Sequence, residues 1–449
     1  MSSMKQSILF LSCCIILMAC EKTSSINTVP RSPQHSLQWV QLFGGSQEDI
    51  AHDVIATQDG GFAVIGNTKS IDGDIQDKSV EIADIIVLKY SSNAELQWAK
   101  TYGGSLDDRG HSLVQMPDSG YVLLGYSMSS DIDGSNNEGQ HDNWVIRVDA
   151  QGNLLWEKSF GFLGHDHAYS IITTQDGGLL FNGFLDVTSS AGLGSTARGG
   201  SHGVGEFWVH KIDPLGNIQW RRYYGGTSND RSYAAVETMA GDFVIVGTSE
   251  STDVDISSPR GDYDVWVIKI AADGKLLWER SFGGSAYEGS NAVWLDREQN
   301  IHVLGNTFSA DHDVSSPLGS SDFWLISIDQ GGQLLTENTF GGSDFDLGQD
   351  VLLDQDNQFW LTGYSRSKDI DLSENHGDND IALFQLDQNK FPKQHFSLGG
   401  SGLDLAHAMV ELTQGGILVV GSTESIDGPF AGNRGDKDIF LALWDDVLE

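Results

Sequence analysis

An all-β fold is predicted for this 449-residue chain: a seven-bladed β-propeller of four-stranded antiparallel blades. Three observations carry the prediction. First, an anchor, typically an aromatic residue followed by Gly-Gly, recurs at Gly44, Gly103, Gly161, Gly225, Gly283, Gly341 and Gly399, with spacings of 59, 58, 64, 58, 58 and 58 residues. Second, four short segments rich in β-branched and aromatic residues fill each interval, bounded by Gly, Asp and Asn turns. None has the length or period of a helix. Third, the chain opens on a lone segment of the fourth type and closes on one of the third type, so the N-terminal strand is expected to complete the last blade. Closing the ring this way removes the exposed sheet edges.

The four segments follow a fixed order. The first comes after the anchor, as in Asp49-Ile-Ala-His-Asp-Val-Ile, and the second follows an Asp-Gly-Gly turn, as in Phe62-Ala-Val-Ile-Gly66. The third is exemplified by Asp142-Asn-Trp-Val-Ile-Arg-Val-Asp149, and after a Gln-Gly-Asn turn the fourth reads Leu154-Leu-Trp-Glu-Lys-Ser-Phe160. The unpaired opening segment is residues 37–43 and the closing one begins at Asp438.

Side chains recur between the copies. Seven residues after each anchor stands a small residue (Ala51, Gly110, Ala168, Ser232, Ser290, Gly348, Ala406), as expected where strands crowd at a propeller axis. A glycine follows each anchor by twenty-two residues, from Gly66 to Gly421. Tryptophans fill the fourth strand of five units (Trp39, Trp98, Trp156, Trp220, Trp278) and the third strand of four (Trp144, Trp208, Trp266, Trp324). Packing between blades explains both sets better than an aromatic ligand box does.

The unit resembles the bacterial β-propeller repeat lipoproteins, whose copies read Leu-x-Trp-x-Lys-x-[Phe/Tyr]-Gly-Gly-Ser, then Asp-Gly-Gly, then Gly-x-Thr-x-Ser-x-Asp. Trp98-Ala-Lys-Thr-Tyr-Gly-Gly-Ser105 and Gly66-Asn-Thr-Lys-Ser-Ile-Asp72 carry the match, which extends over residues 37–446. That resemblance implies the propeller fold and no general activity. The run Asp149, Gly152, Trp156 also looks like the tryptophan motif of quinoprotein propellers, but the long acidic loops depart from that pattern and give no basis for a bound quinone.

The N-terminus predicts an address. Residues 1–19 carry one cation, Lys5, and an apolar run from Ile8 to Ala19, too short to span a bilayer and suited to a signal peptide. Leu17-Met18-Ala19-Cys20 resembles the lipobox of bacterial lipoproteins, which implies cleavage before Cys20 and acylation of its thiol. Glu21 in the next position resembles lipoproteins forwarded to the outer membrane, with the periplasmic or outer face left open. Residues 20–36 then form the lipidated cysteine and a polar tether, and residues 37–449 the propeller. Cys13 and Cys14 lie in the leader, so disulfides and a cysteine nucleophile are not expected in the mature chain.

Charge narrows the partners. With 63 Asp and Glu against 26 Lys and Arg, the net charge of −37 argues against nucleic acid and against direct binding to an anionic membrane surface. Carboxylates recur five residues after each anchor (Asp49, Asp108, Asp166, Asp230, Glu288, Asp346, Asp404). A second set opens the third strand (Asp84, Asp142, Glu206, Asp264, Asp322, Asp380, Asp438). Either set could ring the channel and hold cations; acceptance of hydrogen bonds from their own turns is the favoured reading. A third set lies in the long loop after the second strand: Asp72/Asp74, Asp253/Asp255, Asp311/Asp313 and Asp369/Asp371, with Asp131/Asp133 as a variant. Alternating carboxylates on a Gly-containing loop are candidate Ca²⁺ ligands, although the spacing is neither an EF-hand nor an Asp-box.

The loop of the third blade is six residues longer, lacks the Asp pair and carries Arg198 and His202, a candidate binding site. No metalloprotease, nucleophile-elbow or phosphate-loop motif is present. His52, His111 and His407 share one position, eight after the anchor, with Tyr169, Tyr233, Asn291 and Gln349, which reads as a polar channel lining rather than a zinc triad. The function expected is a monomeric, non-catalytic envelope lipoprotein presenting a propeller face to a glycan or a protein partner. The alternative is a carbohydrate-active hydrolase or lyase acting on exported polysaccharide, since many carboxylate pairs are available.

Overall fold

The computed structural model describes residues 35–131, 137–195 and 202–446. The described residues hold twenty-eight strands arranged as seven separate four-stranded sheets. The opening strand β1 (His35–Phe43) stands apart from the blade that follows it, which is built of β2 (Asp49–Ala56), β3 (Phe62–Thr68), β4 (Asp84–Tyr90) and β5 (Leu96–Tyr102) in that order. Every neighbouring pair is antiparallel, and the same order repeats five times from β6 (Asp108–Gln115) to β25 (Pro392–Leu398).

The last blade is composite. It runs β26 (Asp404–Glu411), β27 (Ile417–Thr423), β28 (Asp438–Asp446) and then β1 as its outer strand. Val40 pairs with Ala442 and Leu42 with Phe440. The seven-bladed ring closed by its N-terminal strand is therefore the fold observed.

The second and third strands of the blades are almost wholly buried, flanked on both faces by neighbouring blades. That explains why they read as continuous apolar runs rather than as alternation. The closing seam is such an interface: Val64, Ile86 and Leu88 of the first blade pack on Leu418, Val420, Ile439 and Leu441 of the last. Trp144, Trp208, Trp266 and Trp324 are all buried inside the ring. Trp98, Trp220 and Trp278 of the fourth strands donate their indole N–H to the next blade, to the carbonyls of Ala150, Ala272 and Gln330 at 3.3, 2.9 and 3.0 Å. Both tryptophan sets are blade-packing elements, as the repeat pattern predicts.

One glycine shows how closely the second strand approaches the innermost one. Gly66 lies opposite Ala51, and a Cβ on it would collide with the carbonyl oxygen of Ile50.

Candidate functional site

The innermost strand of every blade carries a β-bulge at the same place. In the first blade the register shifts between Ala51 and Asp53; in the last it shifts between Ala406 and Ala408. The skipped residue is always the one eight positions after the anchor: His52, His111, Tyr169, Tyr233, Asn291, Gln349 and His407. A bulge leaves its extra residue outside the ladder and re-aims the side chain. All seven line one central cavity of about 510 Å³.

The rings stand side by side there, with centroids 5.5 Å apart for His407 and His52, 4.7 Å for His52 and His111, and 5.1 Å for both His111–Tyr169 and Tyr169–Tyr233. Burial pulls the His52 pKa down to about 4 and that of His407 to about 3, so both are neutral at physiological pH. The shared position is a polar channel lining, as its residue types predict.

The two carboxylate sets meet at the blade junctions. Asp49 is fully buried. It accepts hydrogen bonds from the hydroxyls of Thr68 and Ser70 and, at 2.8 Å, from the backbone N–H of Gly45 in its own anchor turn. The other junctions repeat the pattern, as Asp346 does with Ser365, Ser367 and Gly342 N–H. The six aspartates of the second set each leave one oxygen unpaired. Asp264 Oδ2 accepts from Arg260 N–H at 2.7 Å and Asp322 Oδ2 from Leu318 N–H at 2.7 Å, while the Oδ1 atoms of Asp84, Asp142, Asp264, Asp322, Asp380 and Asp438 are buried without a hydrogen-bond donor. Burial pushes the pKa of Asp84, Asp264, Asp322 and Asp438 up to about 6.

The paired aspartates of the long loops act as staples. The first of each pair caps the residue after the anchor glycines: Asp72 accepts from Ser46 N–H at 2.7 Å, Asp253 from Thr227 at 3.0 Å, Asp311 from Ser285 at 2.8 Å and Asp369 from Ser343 at 2.8 Å. The second caps the first anchor glycine, as Asp74, Asp255, Asp313 and Asp371 do with Gly44, Gly225, Gly283 and Gly341 at 3.2–3.3 Å. Asp131 follows the rule with Ser105 at 3.0 Å, and Asp133 lies outside the described residues. These carboxylates tie each loop to the anchor of its own blade, which accounts for their repetition.

Of the two residues singled out in the third-blade loop, only His202 is among the described residues; Arg198 lies outside them. His202 turns inward: its side chain is only 3% exposed, its Nδ1 lies 3.2 Å from Glu206 Oε2, and its ring meets Tyr223 edge-on at 4.7 Å. Cys20 is likewise outside the described residues.

The departures from sevenfold symmetry lie instead one residue before the two carboxylate sets. Those positions pair across blade junctions by isolated parallel bridges: Glu48 with Lys437, His141 with His165, Gly205 with Asn229, Tyr263 with Tyr287, Ser321 with Phe345 and Asn379 with Leu403. At the second-to-third junction both partners are histidine, and His167 follows Asp166. The Nδ1 atoms of His141 and His165 are 2.7 Å apart. One ring nitrogen from each of His141, His165 and His167 falls in a group whose members all lie within 4.8 Å of one another; no other group of three or more such ligands occurs among the described residues. His165 and His167 border a cavity of about 400 Å³ whose walls include Tyr126, Tyr169, Phe184, Asn229 and Arg231. Burial, then the neighbouring imidazoles, hold His141 at about 4 and His167 at about 3. The sequence carried a signal for this cluster, visible once the residues preceding each carboxylate are aligned.

Tyr263, Tyr287 and Phe345 occupy the same positions in the fourth to sixth blades and, with Phe308 just after the second strand of the fifth, form an aromatic row. Tyr263 and Tyr287 are 5.4 Å apart between centroids, Tyr287 and Phe308 5.8 Å, and Phe308 and Phe345 6.2 Å. Tyr287, Phe308 and Phe345 are each about 40% exposed. An unpaired large aromatic is ordinary on a surface, but a contiguous row marks a contact surface.

No protein-family model matches the chain. It is 24% identical over 216 residues to the regulatory protein FlaEY of Caulobacter vibrioides, a stretch that spans 45% of this chain and 22% of that protein. Among solved structures it is similar to the WD40 domain of Pan2 from Neurospora crassa, at 10% identity and a TM-score of 0.52, with 92% of this chain and 96% of that one covered. A fungal alcohol oxidase of the AA5 family, solved in complex with copper, aligns at 11% identity and a TM-score of 0.48 over 92% of this chain and 76% of the other. At 10% identity the likeness to the WD40 domain shows the fold alone.

Proposed function

We propose that this protein is a non-catalytic binding module of the bacterial envelope that holds a glycan on the face carrying its long loops. The observation that carries the reading is the exposed row Tyr263, Tyr287, Phe308 and Phe345. The C–H face of a pyranose stacks on such rings, while neighbouring carboxylates and loop amides take up its hydroxyls. The carboxylates of the first set and of the loop pairs support binding rather than hydrolysis, because their hydrogen bonds go to their own turns and loops. The address follows from Leu17-Met18-Ala19-Cys20: acylated Cys20 anchors the chain to the outer membrane, and the tether lifts the propeller from it. No helix among the described residues is long and apolar enough to cross a membrane.

The test is retention of the purified full chain on a panel of polysaccharides, with released sugar scored in the same samples and with Ca²⁺ or EDTA present. Retention without product, lost in Tyr287→Ala/Phe345→Ala, is the expected result. Released product would replace the binding reading with a hydrolase or lyase, and retention unaffected by the double substitution would remove the aromatic row from the site. Loss of retention in EDTA alone would assign the Asp-pair loops a calcium role. Incorporation of labelled palmitate, abolished by Cys20→Ser, checks the anchor.

A further inference from the structure

We propose that His141, His165 and His167 form a site for a divalent transition-metal ion, of which zinc is the reference case, at the junction of the second and third blades. The inference does not depend on the glycan reading. Three imidazoles from two adjacent blades converge, and the parallel bridge between residues 141 and 165 fixes the backbone of two of them. Zinc takes imidazole nitrogen at about 2.0–2.1 Å, which in a tetrahedral site sets ligand nitrogens about 3.3 Å apart. The triad brackets that value, with 2.7 Å between the Nδ1 atoms of His141 and His165 and an outer limit of 4.8 Å.

The hydrogen-bond inventory points the same way. The His141 and His165 Nδ1 atoms face each other, so at least one has to be an N–H for the contact to be favourable, and a cation between them would use both lone pairs instead. The Nε2 atom of His167, whose Nδ1 faces the Tyr169 hydroxyl, is buried with no partner. Buried ring nitrogens that remain unpaired are costly, and metal ligation is one way to satisfy them.

Neighbouring side chains hold the imidazoles in place. Tyr126 stacks on His167 at 4.0 Å between centroids and meets His141 edge-on at 5.1 Å, fixing both ring planes. His167 Nδ1 lies 3.3 Å from the Tyr169 hydroxyl. Such outer partners orient ligating imidazoles. Three protein ligands leave a coordination position for water or for an oxygen of a bound molecule, and the cavity beside His165 and His167, with Arg231 on its wall, is where such a ligand would sit.

Titration of the purified, chelator-treated full chain with Zn²⁺ by calorimetry, with metal counted by mass spectrometry, tests the site. One ion per chain is expected, with a raised melting temperature in its presence. His165→Gln alters an exposed side chain and should fold normally; it and His141→Gln should each weaken binding at least about tenfold, as loss of a ligand does. His395→Gln, a histidine on another blade, should bind as the parent does. Substituting Co²⁺ and recording its visible absorption gives a readout of nitrogen coordination that is lost in the same two variants. Parent-like affinity in His165→Gln and His141→Gln, or no uptake by the parent at millimolar Zn²⁺, would overturn the proposal.

Discussion

Asp264 and Glu288 face each other across Gly283: a Cβ on that glycine would stand 2.5 Å from Asp264 Oδ1 and 2.6 Å from Glu288 Oε2. One carboxylate opens the third strand of the fourth blade and the other opens the first strand of the fifth, so the glycine is the spacer that lets two blades meet. The Glu288 contact atom accepts from Gly284 N–H, and Asp264 is held through its other oxygen, Oδ2, by Arg260 N–H, so neither carboxylate can swing away cheaply. Gly283→Ala should therefore destabilise the fold by about 1–3 kcal/mol, the usual range for overpacking. Thermal unfolding of the variant measures it, and an unchanged midpoint would show that the junction relaxes.

The same pair makes stability fall as pH rises. Burial, with Glu288 nearby as a smaller contribution, raises the Asp264 pKa from 3.8 to about 6, so between those values the folded chain keeps a proton that the unfolded chain has released. The penalty is absent below about pH 4, grows through the window and is complete above about pH 6. In Asp264→Asn the amide oxygen can keep the Arg260 N–H bond while the NH₂ group is available to Glu288. The variant should be more stable than the parent by about 2 kcal/mol at pH 7.5 and should lose that advantage near pH 4. Denaturant melts at the two pH values decide it; an advantage of equal size at both would mean that ionisation is not the cause.

His407 works in the opposite sense. Burial, then His52 and Lys437, lower its pKa from 6.5 to about 3, so as pH falls below 6.5 the unfolded chain takes a proton that the folded chain refuses. Its contribution is fully present above about pH 6.5 and is lost progressively toward pH 3. The fifth blade places Asn291 in the same bulge, so His407→Asn should fit there with little change at pH 7. At pH 5 the variant should be more stable than the parent by about 2 kcal/mol, because its unfolded chain no longer takes up that proton. Paired melts at pH 7 and pH 5 check this, and a variant as acid-sensitive as the parent would mean that the histidine is not buried in solution.

The repeat made the fold legible, because a strand, a bulge residue or a carboxylate that recurs in each copy reports an environment common to all blades. The channel lining could be read the same way: a slot that accepts His, Tyr, Asn and Gln but no aliphatic residue had to face water. The site was harder to read, because it rests on what differs between copies. His141 and His165 lie 24 residues apart and belong to different units, so a repeat-by-repeat alignment separates them. Only the parallel bridge at each junction reveals that these two positions touch. The Asp pairs show the converse. Their alternation suggested oxygen ligands, yet backbone N–H groups 26 and 30 residues away take those oxygens, and loop length alone does not reveal which amides come within reach.

Closure of the ring gives the last prediction. β1 packs into both of the clusters that flank the final blade, Trp39 on one side and Val40 with Leu42 on the other. Removing residues 35–43 would leave β28 as an edge with a row of unpaired N–H and C=O groups, flanked by apolar side chains. Such an edge recruits any strand that matches its register. The truncated chain should melt at lower temperature and associate in a concentration-dependent manner. A synthetic peptide of residues 35–43 should restore the monomer and raise the melting point, because the seat on β28 is already built. Gel filtration with and without the peptide reads both effects. A truncated chain that stayed monomeric with an unchanged melting point would show that the three remaining strands close the ring by themselves, and that β1 is a tether segment resting on the last blade rather than part of it.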